Sequence, residues 1–106
     1  MLSLTEFRSS LQTQTPPSNL SLSLSQTALW WIGKKNWAEA HRLVQSAEGT
    51  RECDRIHALL HRQEGDLANA RYWYARADAR MPDQTIIQEW EDLVRRAFPQ
   101  TGTQPS

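Results

Sequence analysis

Cysteine is almost missing from the sequence, and this scarcity limits both redox and thiolate chemistry. Cys53 is the one cysteine among 106 residues. The chain therefore forms no internal disulfide, and it lacks the Cys-x2-Cys pair of thiolate zinc sites and of redox motifs. A lone cysteine is typical of a protein in a reducing compartment, and we predict a cytoplasmic location.

An excess of charge of either sign is missing as well. Twelve Lys and Arg residues balance twelve Asp and Glu residues, whereas proteins dedicated to nucleic acids or membrane surfaces normally carry a basic excess. No apolar run approaches the roughly 20 residues of a membrane-spanning helix. The start of the chain, MLSLTEFRSS, lacks the basic beginning and long apolar core of a secretory signal. We predict neither a nucleic-acid nor a membrane partner.

The sequence also lacks the short motifs of common catalytic sites. Its four glycines stand singly, and neither a glycine-rich phosphate loop nor a nucleophile elbow occurs. The acidic pair in Glu64-Gly65-Asp66 has a structural explanation, because glycine ends one helix and aspartate caps the next. We predict a non-enzymatic protein without a cofactor.

Apolar spacing and capping residues predict helices through most of the chain. The spacing predicts five main helices, over residues 22–34, 36–47, 51–64, 67–80 and 84–97, preceded by a short helix within residues 4–12. Asn36, Asp66 and Asp83 are the predicted N-caps, and Gly65 ends the third of these helices. The run LSLSLS at 20–25 alternates like a strand, but no second strand-like segment pairs with it, so we expect it to enter a helix.

Composition divides the chain into three parts. Residues 1–19 form an N-terminal arm and a linker that contains two adjacent prolines, and residues 99–106 form a polar tail that we predict to be disordered. Residues 20–98 contain the predicted helices. A chain of 106 residues is long enough for one hydrophobic core.

A pattern of small and bulky residues recurs in the second and fourth predicted helices. The second contains Ala40-x3-Val44-x2-Ala47, and the fourth contains Ala70-x3-Tyr74-x2-Ala77, 30 residues later. Alanine allows two helix backbones to approach closely, and a period near 30 is typical of stacked helical hairpins. Connections of a few residues force neighbouring helices to run antiparallel.

Residues 51–82 resemble the tetratricopeptide repeat. The matching positions are Ala58, Gly65, Asp66, Ala70, Tyr74, Ala77 and Pro82. The first helix departs from that pattern, because Asp54 stands where tryptophan is frequent, His57 replaces leucine and His61 replaces tyrosine. The chain is also similar to a group of short bacterial proteins that combine ALWW…GKKNWAEAH-like and HALLHRQEGDLANARYWYARA-like segments. The resemblance implies an all-α fold of two antiparallel hairpins with a C-terminal capping helix.

The same resemblance implies a protein-interaction module, and two sets of residues are candidates for its contact face. In tetratricopeptide proteins the first helix of each hairpin lines a concave groove, where Arg55 and Arg62 would meet an acidic peptide. Trp73, Arg76 and Arg80 share one side of the fourth predicted helix, and tryptophan with arginine is typical of interface hot spots. We expect a protein or peptide partner, acidic in character, or a second copy of this chain. The alternative is a solvated helix side.

Histidines provide a second possible function. Cys53-x3-His57-x3-His61-x2-Glu64 places four reactive side chains along one side of a helix, and His at i and i+4 forms half of a metal site. His57, His61 and Glu64, with His41 from another helix, are therefore candidate ligands for a metal or small molecule. The favoured explanation of the histidines is structural, as core residues bonded to tyrosine or backbone groups, and an enzyme that uses them is a third option. An open pocket lined by these histidines, with His41 or Glu64 within metal-ligand reach, would favour the ligand site, whereas a closed core in which they bond only to tyrosine or backbone groups would exclude it.

Overall fold

The computed structural model describes residues 4–16 and 22–98, and all regular structure in these ranges is helical. The helices are α1 (Leu4–Ser10), α2 (Leu24–Gly33), α3 (Trp37–Gln45), α4 (Arg51–Glu64), α5 (Leu67–Arg76) and α6 (Ile86–Ala97). The all-α prediction is confirmed. The predicted boundary between residues 19 and 20 and the predicted disordered tail lie outside the described residues.

Capping side chains fix where the middle helices begin. Ser23 forms a reciprocal capping box with Gln26 at the start of α2. Asn36 accepts a hydrogen bond from the Glu39 amide at 3.1 Å, and Asp66 caps α5 in the same way. Each cap satisfies a backbone donor that the first helical turn leaves without a partner. The predicted caps at Asn36 and Asp66 are therefore confirmed.

Two predicted helix limits near the C-terminal end are wrong. Asp83 does not cap α6, because Thr85 forms a capping box with Gln88 and satisfies two backbone donors at once. The helix predicted over residues 67–80 already ends at Arg76. The chain turns away there because Asp78 adopts a left-handed conformation with φ of 58°, which aspartate tolerates better than most residues.

Three of the four recurring alanines are buried, and the fourth, Ala47, is half-buried. Helix α2 packs on α3, and α4 packs on α5, while α3–α4 and α2–α4 contacts join the two pairs. Ala40 and Ala70 are completely buried, and Ala77 is 2% exposed. None of the described helices combines the length and the apolar character that crossing a bilayer requires.

Helices α1 and α6 complete the core. Phe7 of α1 is fully buried, and its ring centroid lies 4.7 Å from that of Phe98, directly after α6. Helix α6 lies against α2 and α4, and its Leu93 and Val94 join the same hydrophobic cluster as Phe7. The N-terminal helix and the C-terminal helix are thus parts of one core.

A buried carboxylate attaches α6 to α4 and α5. Glu89 is fully buried and accepts hydrogen bonds from Arg62 at 2.7 Å and from the Tyr74 hydroxyl at 2.6 Å. The Arg55 Nε atom lies 3.6 Å from the same carboxylate. Burial and the neighbouring carboxylate raise the pKa of Tyr74 above its usual range, so its hydroxyl remains a donor. Arg62 also donates to the Gln84 carbonyl.

We expect Glu89→Ala to destabilise the fold strongly. The substitution leaves the half-buried guanidinium groups of Arg55 and Arg62 without their carboxylate partner, which costs about 3–5 kcal/mol. Urea denaturation followed by tryptophan fluorescence measures this loss. The matched control is Glu91→Ala on the same helix, where a carboxylate that is 37% exposed lies 3.9 Å from Arg95 and contributes at most about 1 kcal/mol. Equal losses in the two variants would contradict the role of Glu89.

Candidate metal centre

The three histidines of the chain converge in the space between α3 and α4. His41 projects from α3, whereas His57 and His61 project from one side of α4, one helical turn apart. One ring nitrogen from each histidine lies within 4.8 Å of the other two. The structure therefore brings together the predicted pair on α4 and the predicted contributor from a neighbouring helix.

Two of the three ring nitrogens are separated by nearly the distance between two ligands of one metal ion. The Nε2 atoms of His41 and His57 lie 3.0 Å apart, close enough for one ring to donate a hydrogen bond to the other. Two nitrogens bound to one tetrahedral zinc ion at 2.0–2.1 Å are roughly 3.3 Å apart. The distance between the two nitrogens therefore fits coordination, but both rings would have to swing away from the hydrogen-bond axis to aim their lone pairs at one ion.

Glu64 orients the third histidine. Its carboxylate accepts a hydrogen bond from His61 Nδ1 at 2.9 Å, which leaves the Nε2 lone pair of His61 for a ligand bond. A carboxylate on the far nitrogen is the usual support for a metal-bound histidine, because it fixes the tautomer and increases the basicity of the ring. The structure therefore places the predicted ligand Glu64 behind His61. Glu64 also lies near Asp66, but that acidic group is exposed.

Two indole rings enclose the imidazoles. Trp37 stacks on His41 with ring centroids 4.5 Å apart, and its Nε1 donates to the Leu60 carbonyl at 2.8 Å. Trp73 stacks on His57 at 3.9 Å. His57 and His61 are 2% and 8% exposed, so solvent reaches this cluster (His41, His57 and His61) mainly through the half-buried His41.

This enclosure keeps the imidazoles of His41 and His57 neutral. Burial, followed by the proximity of His41 and His61, lowers the pKa of His57 to about 4. Burial and His61 also lower the pKa of His41, against the opposing influence of Glu64 and Glu48. Neutral imidazole is the form that binds a metal ion, so protons compete weakly at these two sites at neutral pH.

The histidine side chains bond to each other and to Glu64, and not to the tyrosine or backbone groups that the core interpretation predicts. Tyr74 donates to Glu89, and the Tyr72 hydroxyl accepts from Arg76. Among the described residues, no histidine bonds to a tyrosine or to a backbone group. His57 Nδ1 is buried without a partner, which costs about 1–3 kcal/mol.

The residues predicted to contact a partner occupy two different environments. Arg55 and Arg62 face the buried Glu89, and their side chains are 16% and 15% exposed. Trp73 is buried against His57, whereas Arg76 and Arg80 are exposed. Their contact with a partner stays a prediction, but the structure assigns Arg55 and Arg62 an internal role that the sequence pattern did not reveal.

The sequence interpretation does not single out Glu89, although the position of this residue indicates that it is buried. It lies three residues after Ile86 and four before Leu93 on the apolar stripe of α6. A carboxylate in such a stripe must find cationic or hydrogen-bonding partners inside the protein. The sequence pattern does not show that those partners are Arg55, Arg62 and Tyr74.

The chain was compared with protein-family models, curated proteins and solved structures. No family model, curated protein or solved structure matches the chain. A functional assignment therefore depends on the distances, burial and donor atoms described above.

We expect acid to destabilise the metal-free protein through His57. The folded state lowers the pKa of His57 from 6.5 to about 4, so the unfolded chain binds a proton that the folded chain rejects. The contribution of neutral His57 is complete above pH 6.5 and is lost as the pH falls towards 4, by on the order of 2–3 kcal/mol.

Urea denaturation between pH 7.5 and pH 4.5, with a chelator present, measures this contribution. The comparison is His57→Leu, which removes the titrating group but retains an apolar side chain. The stability of this variant should fall less steeply over that range, and parallel pH profiles for the two proteins would show that His57 titrates normally.

Proposed function

We propose that this chain is a metal-binding protein that holds one divalent transition-metal ion with His41, His57 and His61. The observation that carries the proposal is the convergence of three ring nitrogens within 4.8 Å of one another, from two helices and inside a largely buried cluster. Imidazole nitrogen suits zinc, copper and nickel, whereas magnesium and calcium require oxygen ligands. The ion class is therefore that of zinc.

The energetic cost of the cluster supports this proposal. Leucine and tyrosine are the residues that the tetratricopeptide-like pattern expects at positions 57 and 61, and either would pack there without an unpaired ring nitrogen. The chain instead buries two imidazoles there, of which His57 bonds to His41, His61 bonds to Glu64, and His57 Nδ1 is left without a partner. Coordination through the Nε2 atoms of His41 and His57 would offset the cost of burying these rings, whereas His57 Nδ1 would still lack a partner.

Three protein ligands are typical of an ion that leaves its site readily or that binds a further group from solution. Structural zinc sites usually have four protein ligands, whereas three protein ligands leave one position for water or an external ligand. Glu64 would position His61, and Trp37 and Trp73 would limit the access of water. The single thiol of Cys53, buried and free, accords with the reducing cytoplasmic environment that we propose for the protein.

We further infer that the helices form two tetratricopeptide-like antiparallel hairpins, α2–α3 and α4–α5, with α6 as a capping helix. Three observations support this arrangement. Gly65 ends α4 with a left-handed φ of 85°, Asp66 caps α5, and the alanines at positions 40 and 70 are completely buried. Helix α6 covers α2 and α4, which are the first helices of the two hairpins.

A protein-interaction module is the second candidate function, and one exposed feature favours it. Tyr72 is 52% exposed, and the Arg76 guanidinium lies 5.8 Å from its ring centroid and 5.1 Å from that of Trp73. Arg80 is exposed farther along the chain. Tyrosine, tryptophan and arginine are the residues most enriched in interface hot spots. This face would bind an acidic peptide or a second copy of the chain.

We expect the untagged protein to bind one zinc ion per chain. Calorimetric titration gives the stoichiometry and affinity, and thermal unfolding provides a second readout. An ion present at 100 times its dissociation constant raises stability by about 2.7 kcal/mol. In His57→Leu and His61→Leu, both the binding heat and the thermal shift should disappear while the helical circular-dichroism spectrum is retained.

Two further variants separate the proposed roles. Glu64→Gln keeps an acceptor but removes the charge behind His61, and it should weaken zinc about 10- to 100-fold. Cys53→Ala is the matched control, since its thiol does not belong to the histidine cluster, and it should bind zinc as the unmodified chain does. Unchanged zinc binding in both histidine variants would contradict the proposed centre.

We expect Tyr72→Ala and Arg76→Ala to weaken self-association if the α5 face is an interface. Sedimentation equilibrium across a range of protein concentrations measures the dimer dissociation constant, and loss of a hot spot weakens it by at least about tenfold. Ile87→Ala, which changes a 70% exposed residue on α6, is the control. A chain that stays monomeric at all concentrations would exclude the dimer.

A further inference from the structure

A cavity of about 600 Å³ lies between α2, α4 and α6. Arg51, Arg55 and Ile56 line it from α4, and at 100° per residue they lie on the side of that helix opposite to His57 and His61. The cavity is therefore separate from the candidate metal centre. Its volume is within the range of about 300–1,000 Å³ that is typical of sites for small molecules.

The cavity has an apolar floor and a charged rim, with Arg51, Arg55 and Arg96 in the lining against Glu52 and Asp78. Leu29, Ile56 and Leu93 form the floor, and all three are buried, with exposures of 1%, 2% and 7%. Arg51 and Arg96 line the rim, and their side chains are 66% and 62% exposed. An apolar base below two guanidinium groups is complementary to a molecule with one hydrocarbon end and one anionic end.

The rim arginines are available to a ligand even though each has a carboxylate partner. Arg51 lies 2.8 Å from Asp78 and its Nε donates to the Ala77 carbonyl at 3.2 Å, and Arg96 lies 3.1 Å from Asp92. Exposed pairs of this kind contribute little to stability and exchange partners easily. Arg55 adds a third guanidinium to the wall, and its buried Nε has no hydrogen-bond partner. The acidic side chains of Glu52 and Asp78 also line the cavity.

We propose that this cavity binds a small amphipathic monocarboxylate, namely a medium-chain aliphatic acid. The hydrocarbon chain lies over Leu29, Ile56 and Leu93, and the carboxylate pairs with Arg51 and Arg96. Carboxylate and guanidinium match in a bidentate geometry. A single negative charge is favoured over several because Glu52 and Asp78 repel a polyacidic ligand, which makes an acidic peptide the poorer occupant.

Calorimetric titration of the untagged chain tests the proposal. The ligands are hexanoate, octanoate and decanoate, each below its micelle-forming concentration and with a chelator present. Decanoate should bind with a dissociation constant below about 1 mM, and each added CH₂ should tighten binding about three- to fourfold. Octanol, which lacks the charge, should bind at least about tenfold more weakly than octanoate.

Matched variants locate the site. The double variant Arg51→Gln/Arg96→Gln should weaken octanoate at least about tenfold. Arg42→Gln/Arg95→Gln also removes two exposed arginines, but these do not line the cavity, and it should leave the affinity unchanged. His57→Leu should bind octanoate normally, which makes the result independent of the metal centre. Four results would each overturn the proposal. Decanoate could fail to bind, or the affinity could be independent of chain length. The two double variants could have equal effects, or a peptide of glutamates could bind more tightly than decanoate.

Discussion

The buried carboxylate of Glu89 is the interaction on which the arrangement of the helices depends. It is fully enclosed, and its partners Arg62 and Tyr74 belong to α4 and α5, so one side chain connects three helices. A buried charge of this kind is stable only with its complete set of partners. Helix α6 is consequently held in one position, where it also covers the core residues of α1 and α2.

Helix α4 contributes both to the Glu89 interaction, through Arg62, and to the two proposed sites. One side of α4 presents Arg51 and Arg55 to the cavity, and the other presents His57 and His61 to α3. Because α6 fixes α4 through Arg62, the imidazoles project from a rigid element. Metal ligands on rigid helices hold their geometry better than ligands on loops. The same scaffold therefore carries both the proposed ion site and the separate cavity proposed for an organic anion.

Local chemistry explains which features of the fold could be predicted from the sequence. Asn36 and Asp66 act within one helical turn, so their capping role is visible in the sequence itself. The predicted N-cap at Asp83 is wrong because Thr85 and Gln88 form a capping box two residues later. Glu89 and His41 depend on tertiary contacts. Spacing places His57 and His61 on one side of α4, but only helix packing brings His41 within 3.0 Å of His57.

X-ray absorption spectroscopy of the zinc-loaded protein tests the central claim most directly, because it reports the ligand atoms around the ion. The account predicts three imidazole nitrogens at about 2.0–2.1 Å, with one further light-atom ligand from solvent. The multiple-scattering pattern of imidazole should disappear together with tight binding in His41→Ala. A zinc environment made of oxygen ligands alone, or one containing the sulfur of Cys53, would contradict a metal centre formed by His41, His57 and His61.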